Sequence, residues 1–141
     1  MRRCPEISVL MGIYDRSEDI SVLRRSVESI LHQTFSDFEF LICDDGSSTQ
    51  VQAYLDGVVK QDSRVRLIRP EGAFLLPIKL NRCLEKAHGK YIARMDGDDF
   101  SHPDRFQKQM NYLSGYSQIS FVGCNVNLIQ NGKAVGKRCF P

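Results

Sequence analysis

The hydrophobic positions of this chain fall into two alternating rhythms. "EISVLMGIY" (Glu6 to Tyr14) is a short, β-branched apolar run, the pattern of a buried strand. It gives way to "SEDISVLRRSVESILHQTF", where Ile20, Leu23, Val27, Ile30 and Leu31 share one helical face and Ser17 or Asp19 is available as N-cap. The unit then repeats. "FEFLICDDGSS" is a second apolar run ending in acidic and turn residues, and "TQVQAYLDGVVKQ" sets Val51, Tyr54, Leu55, Val58 and Val59 at helical spacing. "RVRLIRP" predicts a third strand stopped by Pro70. "PIKLNRCLEKAHG" predicts a helix with Pro77 in its first turn and Gly89 past its end, and "KYIARM" a fourth strand. Beyond these, "PDRFQKQMNYLSG" reads as a helix with Pro103 in its first turn, "ISFVG" as a strand, and "NVNLIQNGKAV" as a hairpin about Asn131-Gly132.

Strands alternating with helices predict an α/β fold: a mostly parallel sheet with helices on both faces, its right-handed crossovers delivering the strand ends to one edge. Ligands of such sheets bind beyond the carboxyl ends of the strands. Tyr14 and Asp15, then Asp44 and Asp45, then Asp96, Asp98 and Asp99 all stand just past predicted strand ends, so they are expected to converge on one crevice.

Composition narrows the picture. A chain of 141 residues suits one domain, spanning residues 1–141. Nineteen Lys and Arg against 17 Asp and Glu, with no long block of either sign, give no nucleic-acid-binding surface. No apolar stretch reaches the length of a membrane span, and "MRRCPEISVL" lacks the apolar core of a signal peptide, so a cytoplasmic location is expected. Cys4, Cys43, Cys83, Cys124 and Cys139 form an odd set without a CxxC pair; buried free thiols are expected rather than disulfides or zinc ligands. His32, His88 and His102 are dispersed and show no zinc-ligand spacing.

The chemistry concentrates in "YIARMDGDDFSHPDRF", where three carboxylates occupy four positions after an apolar run. Charges this close repel unless a cation, a basic partner or open water lies among them. A dinucleotide loop is excluded, because "VLMGIYDRSED" offers only Gly12, and no GxxxxGK[ST] occurs. A calcium loop starting at Asp96 fails at Phe100, Ser101 and Gln107. A phospho-accepting receiver would want its acidic pair after the first strand, not the second. What remains is Mg2+ or Mn2+ shared between one or two carboxylates and the phosphates of a ligand. In "DGD", Gly97 lets the chain turn tightly so that both flanking acids face that ligand.

These residues also carry a resemblance. "ISVLMGIYD", "FEFLICDDGSS" and "AHGKYIARMDGDDFSHPDRFQKQ" resemble, in order, the opening strand, the DDGS turn and the A-x-G-x-Y-I-A-R-M-D-x-D-D segment of the family 2 glycosyltransferases. Asp15 stands where that family usually has asparagine, Gly12 where proline is common, and Cys83 where glycine is frequent. The resemblance implies the GT-A fold, a Rossmann-like sheet, and inverting transfer from a nucleotide-diphosphate sugar, UDP-sugars favoured, to a saccharide or lipid-linked acceptor with Mn2+ or Mg2+, as in polysaccharide biosynthesis. It places Tyr14, Asp15 and Asp45 at the base and ribose with Asp44 beside them, Asp96 and Gly97 near the ribose, and Asp98 on the metal. Arg94 and Arg105 are expected to act structurally, and His102 to be a surface turn residue.

Inverting transfer needs a general base. The resemblance places that base downstream, in the acceptor-binding half, and it is expected beyond Pro141, because no acid follows Asp104. The chain is therefore expected to be a donor-binding portion, truncated before the acceptor part and prone to self-association through its uncovered side. Its location could extend to the cytoplasmic face of the membrane. The alternative is a non-catalytic nucleotide- or metal-binding module.

Overall fold

The computed structural model describes residues 4–140. Pro141, beyond which the general base is expected, lies outside the described residues. The elements run β1 (Ile7–Ile13), α1 (Ser21–Leu31), β2 (Phe38–Asp44), α2 (Thr49–Gln61), β3 (Val65–Ile68), α3 (Leu76–Leu84), β4 (Tyr91–Arg94), α4 (Arg105–Gly115), β5 (Val126–Gln130) and β6 (Lys133–Arg138). Four strands form one parallel sheet in the order β3-β2-β1-β4. The two central strands are covered on both faces, which is why β1 and β2 read as unbroken apolar runs, whereas the edge strand β4 alternates between half-buried and exposed positions.

Alternation along the strands sorts the core into two layers. Val9, Met11, Ile13, Phe40 and Ile42 face α1, α2 and α4 through Leu23, Val27, Ile30, Val51, Leu55, Phe106 and Met110. On the reverse face Leu10, Leu41, Cys43 and Ile68 meet Cys83 of α3. Helices thus cover both faces, three against one. Each fully buried aliphatic side chain in these layers is worth about 1.5–3 kcal/mol in area removed from water.

The helix boundaries refine the sequence reading. The N-cap of α1 is Ile20, which has no side-chain cap; Asp19 lies one residue earlier and accepts a 2.9 Å hydrogen bond from the Ser21 amide. Pro77 lies in the first turn of α3 as expected. Pro103 does not begin α4: it sits in the turn before Arg105, and Asp104 takes the N-cap position.

Two expectations are corrected. "ISFVG", residues 119–123, is not a strand, and Phe121 is 85% exposed. A strand needs a neighbour for its amides and carbonyls, and none pairs with this segment among the described residues. Nor are all the cysteines buried: Cys43 and Cys83 are, but Cys4, Cys124 and Cys139 are exposed free thiols. Cys124 and Cys139 flank the β5–β6 hairpin, whose strands are exposed throughout and belong to no larger sheet. The hairpin turn itself forms as read, with Asn131 at φ 48° and Gly132 at φ 74°, the two left-handed residues of a tight two-residue turn.

Candidate functional site

Parallel pairing sets the carboxyl ends of the strands side by side. Ile13 pairs with Asp44, whereas Arg94 pairs with Leu10, so β4 stops short of the end of β1. The chain after β4 then curls against the end of β1. A Cβ on Gly97 would lie 2.9 Å from Ile13 Cγ2 and 3.5 Å from Leu23 Cδ1. The tight turn anticipated at Gly97 forms, with the Asp99 amide donating to the Asp96 carbonyl at 3.3 Å, but close approach is what requires the glycine, because the left-handed glycines are Gly46, Gly72 and Gly132.

The loops after β1 and β2 are stitched together. The Asp15 amide donates to Ser47 Oγ at 2.9 Å, the Ser48 amide to the Asp15 carbonyl at 2.8 Å, and Arg16 Nη1 to the Gly46 carbonyl at 2.9 Å. Asp15 spends its own Oδ1 on the amide and hydroxyl of Ser17. The intervening DDGS turn needs Gly46, at φ 116°.

Asp44 and Asp45 are both buried, and both are engaged internally. Asp44 Oδ1 accepts from the Gly46 and Ser47 amides, while its Oδ2 lies 3.7 Å from Arg69 Nε and is a buried acceptor without a hydrogen bond. Asp45 Oδ1 accepts from Lys79 Nζ at 2.8 Å and Oδ2 from the Phe74 amide at 2.6 Å. Burial pushes the Asp45 carboxyl up, but the Lys79 and Phe74 hydrogen bonds outweigh it and leave the group below its ordinary range. Lys79 also donates to the Ile13 carbonyl at 3.0 Å, and its ammonium lies 5.6 Å from the centre of the half-exposed Tyr14 ring.

The acidic turn is arranged differently. The Asp96 carbonyl accepts from Ser26 Oγ of α1 at 2.8 Å, and its carboxylate pairs with Arg94 at 3.0 Å. Asp98 is exposed and makes no hydrogen bond or ion pair among the described residues. Burial, then Asp98, then Asp96 push the Asp99 carboxyl above its ordinary range, against the pull of Arg105 and Arg94. Arg105 braces the turn from α4 by donating to the Arg94 carbonyl at 3.0 Å, so both arginines have the structural contacts expected of them. Downstream, Gln33 Nε2 donates to the His102 carbonyl at 2.7 Å and its Oε1 accepts from the Phe106 amide at 3.1 Å, while Ser29 Oγ accepts from the Ser101 amide at 3.0 Å. His102 is an exposed turn residue.

The structure therefore gathers expected residues, together with Lys79, into two groups that each touch Ile13. Tyr14, Asp45 and Lys79 form one; Asp96, Asp98 and Asp99 form the other. No hydrogen bond or ion pair joins them among the described residues. Two surface hollows of about 330 and 200 Å³ lie along α1 and are lined by none of these strand-end acids.

Three or more His, Cys, Asp or Glu side chains are nowhere gathered to hold a metal among the described residues. A hard divalent cation that keeps its waters and shares one or two carboxylates with phosphates needs no such set. The exposed oxygens of Asp98, crowded by like charge, have the donor chemistry that fits it. Lys79, Ser26 and Ser47 escaped the sequence reading. For Lys79 a signal existed: it stands on the apolar stripe of α3 with Leu76, Leu80 and Cys83, where a cation is out of place.

Residues 8–136, which include both acidic strand ends, match the glycosyl transferase family 2 profile. The chain belongs to that family. This family 2 chain is 34% identical over 142 residues to EpsE of Bacillus subtilis (strain 168), covering 100% of itself and 50% of EpsE. It is 32% identical over 135 residues to the UDP-Glc:alpha-D-GlcNAc-diphosphoundecaprenol beta-1,3-glucosyltransferase WfgD of Escherichia coli, covering 96% of itself and 51% of WfgD. The chain thus spans about half the length of these relatives. Its fold is that of the GT-A glycosyltransferases. The mannosyltransferase PcManGT of Pyrobaculum calidifontis, solved with GDP-Man and Mn2+, superposes with a TM-score of 0.69 at 16% identity, over 92% of this chain and 37% of that one.

Proposed function

We propose that this chain is the donor-binding portion of an inverting glycosyltransferase that moves a sugar from a nucleotide-diphosphate donor, a UDP-sugar by preference, to a hydroxyl of a saccharide or lipid-linked acceptor. The observation that carries the reading is the family match running through both acidic strand ends, with Asp98 exposed and unpaired at the second. Tyr14, Asp15 and Asp45 would border the base and ribose, with Asp44 behind them in the turn; Asp96 and Gly97 would lie near the ribose. Asp98 would hold Mn2+ or Mg2+ against the diphosphate. A bound cation supplies stabilisation of the negative charge that grows on the leaving diphosphate. The residues of this chain bind and orient: the stitched loops hold the nucleoside end, and the acidic turn holds the phosphate end. The general base that deprotonates the acceptor hydroxyl belongs, in this proposal, to sequence beyond Pro141.

The acceptor chemistry is proposed from WfgD, whose name specifies a diphosphoundecaprenol-linked acceptor. A place in polysaccharide assembly, at the cytoplasmic face of a membrane, belongs to the same proposal. No helix among the described residues is long and apolar enough to cross a membrane. The exposed Phe121, Leu128, Ile129 and Val135 favour self-association at high concentration.

Calorimetric titration with UDP tests the reading. Mn2+ is expected to tighten UDP binding by the wild-type chain about tenfold, and Asp98→Asn to abolish that gain while leaving the thermal melt unchanged. Equal Mn2+ dependence in the two proteins would overturn Asp98 as the metal ligand.

A further inference from the structure

Lys79 is the one lysine or arginine among the described residues that is buried. It is 5% exposed, on the one helix that covers the reverse face of the sheet. Burying an ammonium costs far more than burying the leucine that such a helical position ordinarily carries, unless the charge is fully paired. The fold makes room for it: a Cβ on Gly12 would lie 2.9 Å from Lys79 Cβ and 3.6 Å from Lys79 Cδ, so the bare backbone of β1 lets the lysine stem lie flat against it. The stem delivers the ammonium to the end of β1, where two of its three protons go to the Ile13 carbonyl at 3.0 Å and Asp45 Oδ1 at 2.8 Å. The remaining face of the cation lies under the Tyr14 ring, 5.6 Å from its centre.

We propose that Lys79 is a positioning residue, whose buried ammonium fixes the Asp45 carboxylate and the Tyr14 ring in the arrangement that receives the nucleoside end of the donor. The proposal rests on the donor-binding reading above. The Asp45 side chain is 1% exposed and each of its oxygens has an internal partner, so pairing with Lys79 fixes the carboxylate in place at the end of β2 as a set boundary of the nucleoside end. Tyr14, 56% exposed, has the Lys79 ammonium 5.6 Å and the Arg16 guanidinium 5.9 Å from its ring centre, so two cations set the ring at the nucleoside end. The hydrogen bonds of Lys79 go to the Ile13 carbonyl and Asp45, and none joins it to Asp96 or Asp98 among the described residues. Its influence is therefore confined to the nucleoside end.

That confinement is what the experiment reads. Uridine and UDP are titrated into the wild-type chain, Lys79→Met and Asp98→Asn, with and without Mn2+, and folding is checked by thermal melting. Lys79→Met is expected to weaken uridine and UDP alike, by about tenfold, while the factor by which Mn2+ tightens UDP stays at its wild-type value. Asp98→Asn is expected to do the reverse, keeping uridine binding and losing the Mn2+ factor. If Lys79→Met binds uridine as well as wild type, or loses uridine binding and the Mn2+ factor together, the positioning role is overturned. If the wild-type chain binds neither uridine nor UDP, the donor-binding reading itself fails, and the inference with it. Should Lys79→Met not fold, Lys79→Gln, which keeps a donor toward Asp45, carries the same comparison; failure of both to fold makes Lys79 a requirement of the fold and overturns the proposal.

Discussion

Ser26 on α1 donates its hydroxyl proton to the main-chain carbonyl of Asp96 across 2.8 Å, joining the first helix to the acidic turn. The contact fixes the turn at its first residue, and Ser29 fixes it again by accepting from the Ser101 amide. Ser26→Ala removes the shorter of two hydrogen bonds to the Asp96 carbonyl and leaves it the Asp99 amide at 3.3 Å, in a partly buried setting. A loss of about 1–2 kcal/mol is expected in urea denaturation, together with a smaller gain in UDP affinity on adding Mn2+.

Gly89 makes the opposite kind of demand. A Cβ there would stand 2.4 Å from the Ser8 amide nitrogen and 2.6 Å from the Ile7 carbonyl carbon, so the α3–β4 connection can reach β1 only with a bare α-carbon. Gly89→Ala must move backbone, and a destabilisation of about 3 kcal/mol, or failure to fold, is expected. Gly57 in α2 meets nothing within 4 Å, and Gly57→Ala is expected to stabilise by about 0.5–1 kcal/mol. Denaturation midpoints of the two variants should move in opposite directions.

Glu39 predicts an acid limb in stability. Burial pushes its carboxyl up, but hydrogen bonds from Ser8, the His88 amide and Arg66 prevail and hold it below its ordinary 4.5. A carboxyl lowered by folding stabilises fully above its unfolded value, and that contribution disappears as pH falls through the folded one. Urea midpoints measured on descending from neutral pH should therefore drop less steeply in Glu39→Gln than in wild type, once each is normalised to its own neutral value.

Thiol chemistry should separate the cysteines. Burial and then Asp45 raise the Cys43 thiol, and burial with Cys43 beside it pushes Cys83 up to about 12. A thiolate-seeking reagent should label Cys4, Cys124 and Cys139 in the native chain, and all five cysteines after denaturation.

The elements most legible in the sequence were those whose periodicity and burial agree. β1, β2 and α2 could be read because central parallel strands are apolar on both faces and Val51, Leu55 and Val58 face one layer. "ISFVG" misled because an apolar run says nothing about whether a partner strand is beside it. The positions of Asp44 at a strand end and of Asp45 and Asp96 past strand ends were readable, since topology alone delivers them there. Their partners were not. Lys79 lies 34 residues from Asp45, Ser26 lies 70 residues from Asp96, and Ser47 lies 32 residues from Asp15, so only folded packing brings these pairs together.

The strand order β3-β2-β1-β4 also has a consequence for synthesis. β1 lies in the interior of the sheet, yet it is made before either of its neighbours. The first of them, β2, is complete once Asp44 has left the ribosome, but the other needs everything through Arg94. Until then one side of β1 shows its amides and carbonyls to any extended chain nearby, the condition in which nascent sheets pair wrongly. A pause in translation between residues 45 and 90 prolongs that exposure, and a chaperone covering the nascent chain over this interval protects the side that β4 will later occupy.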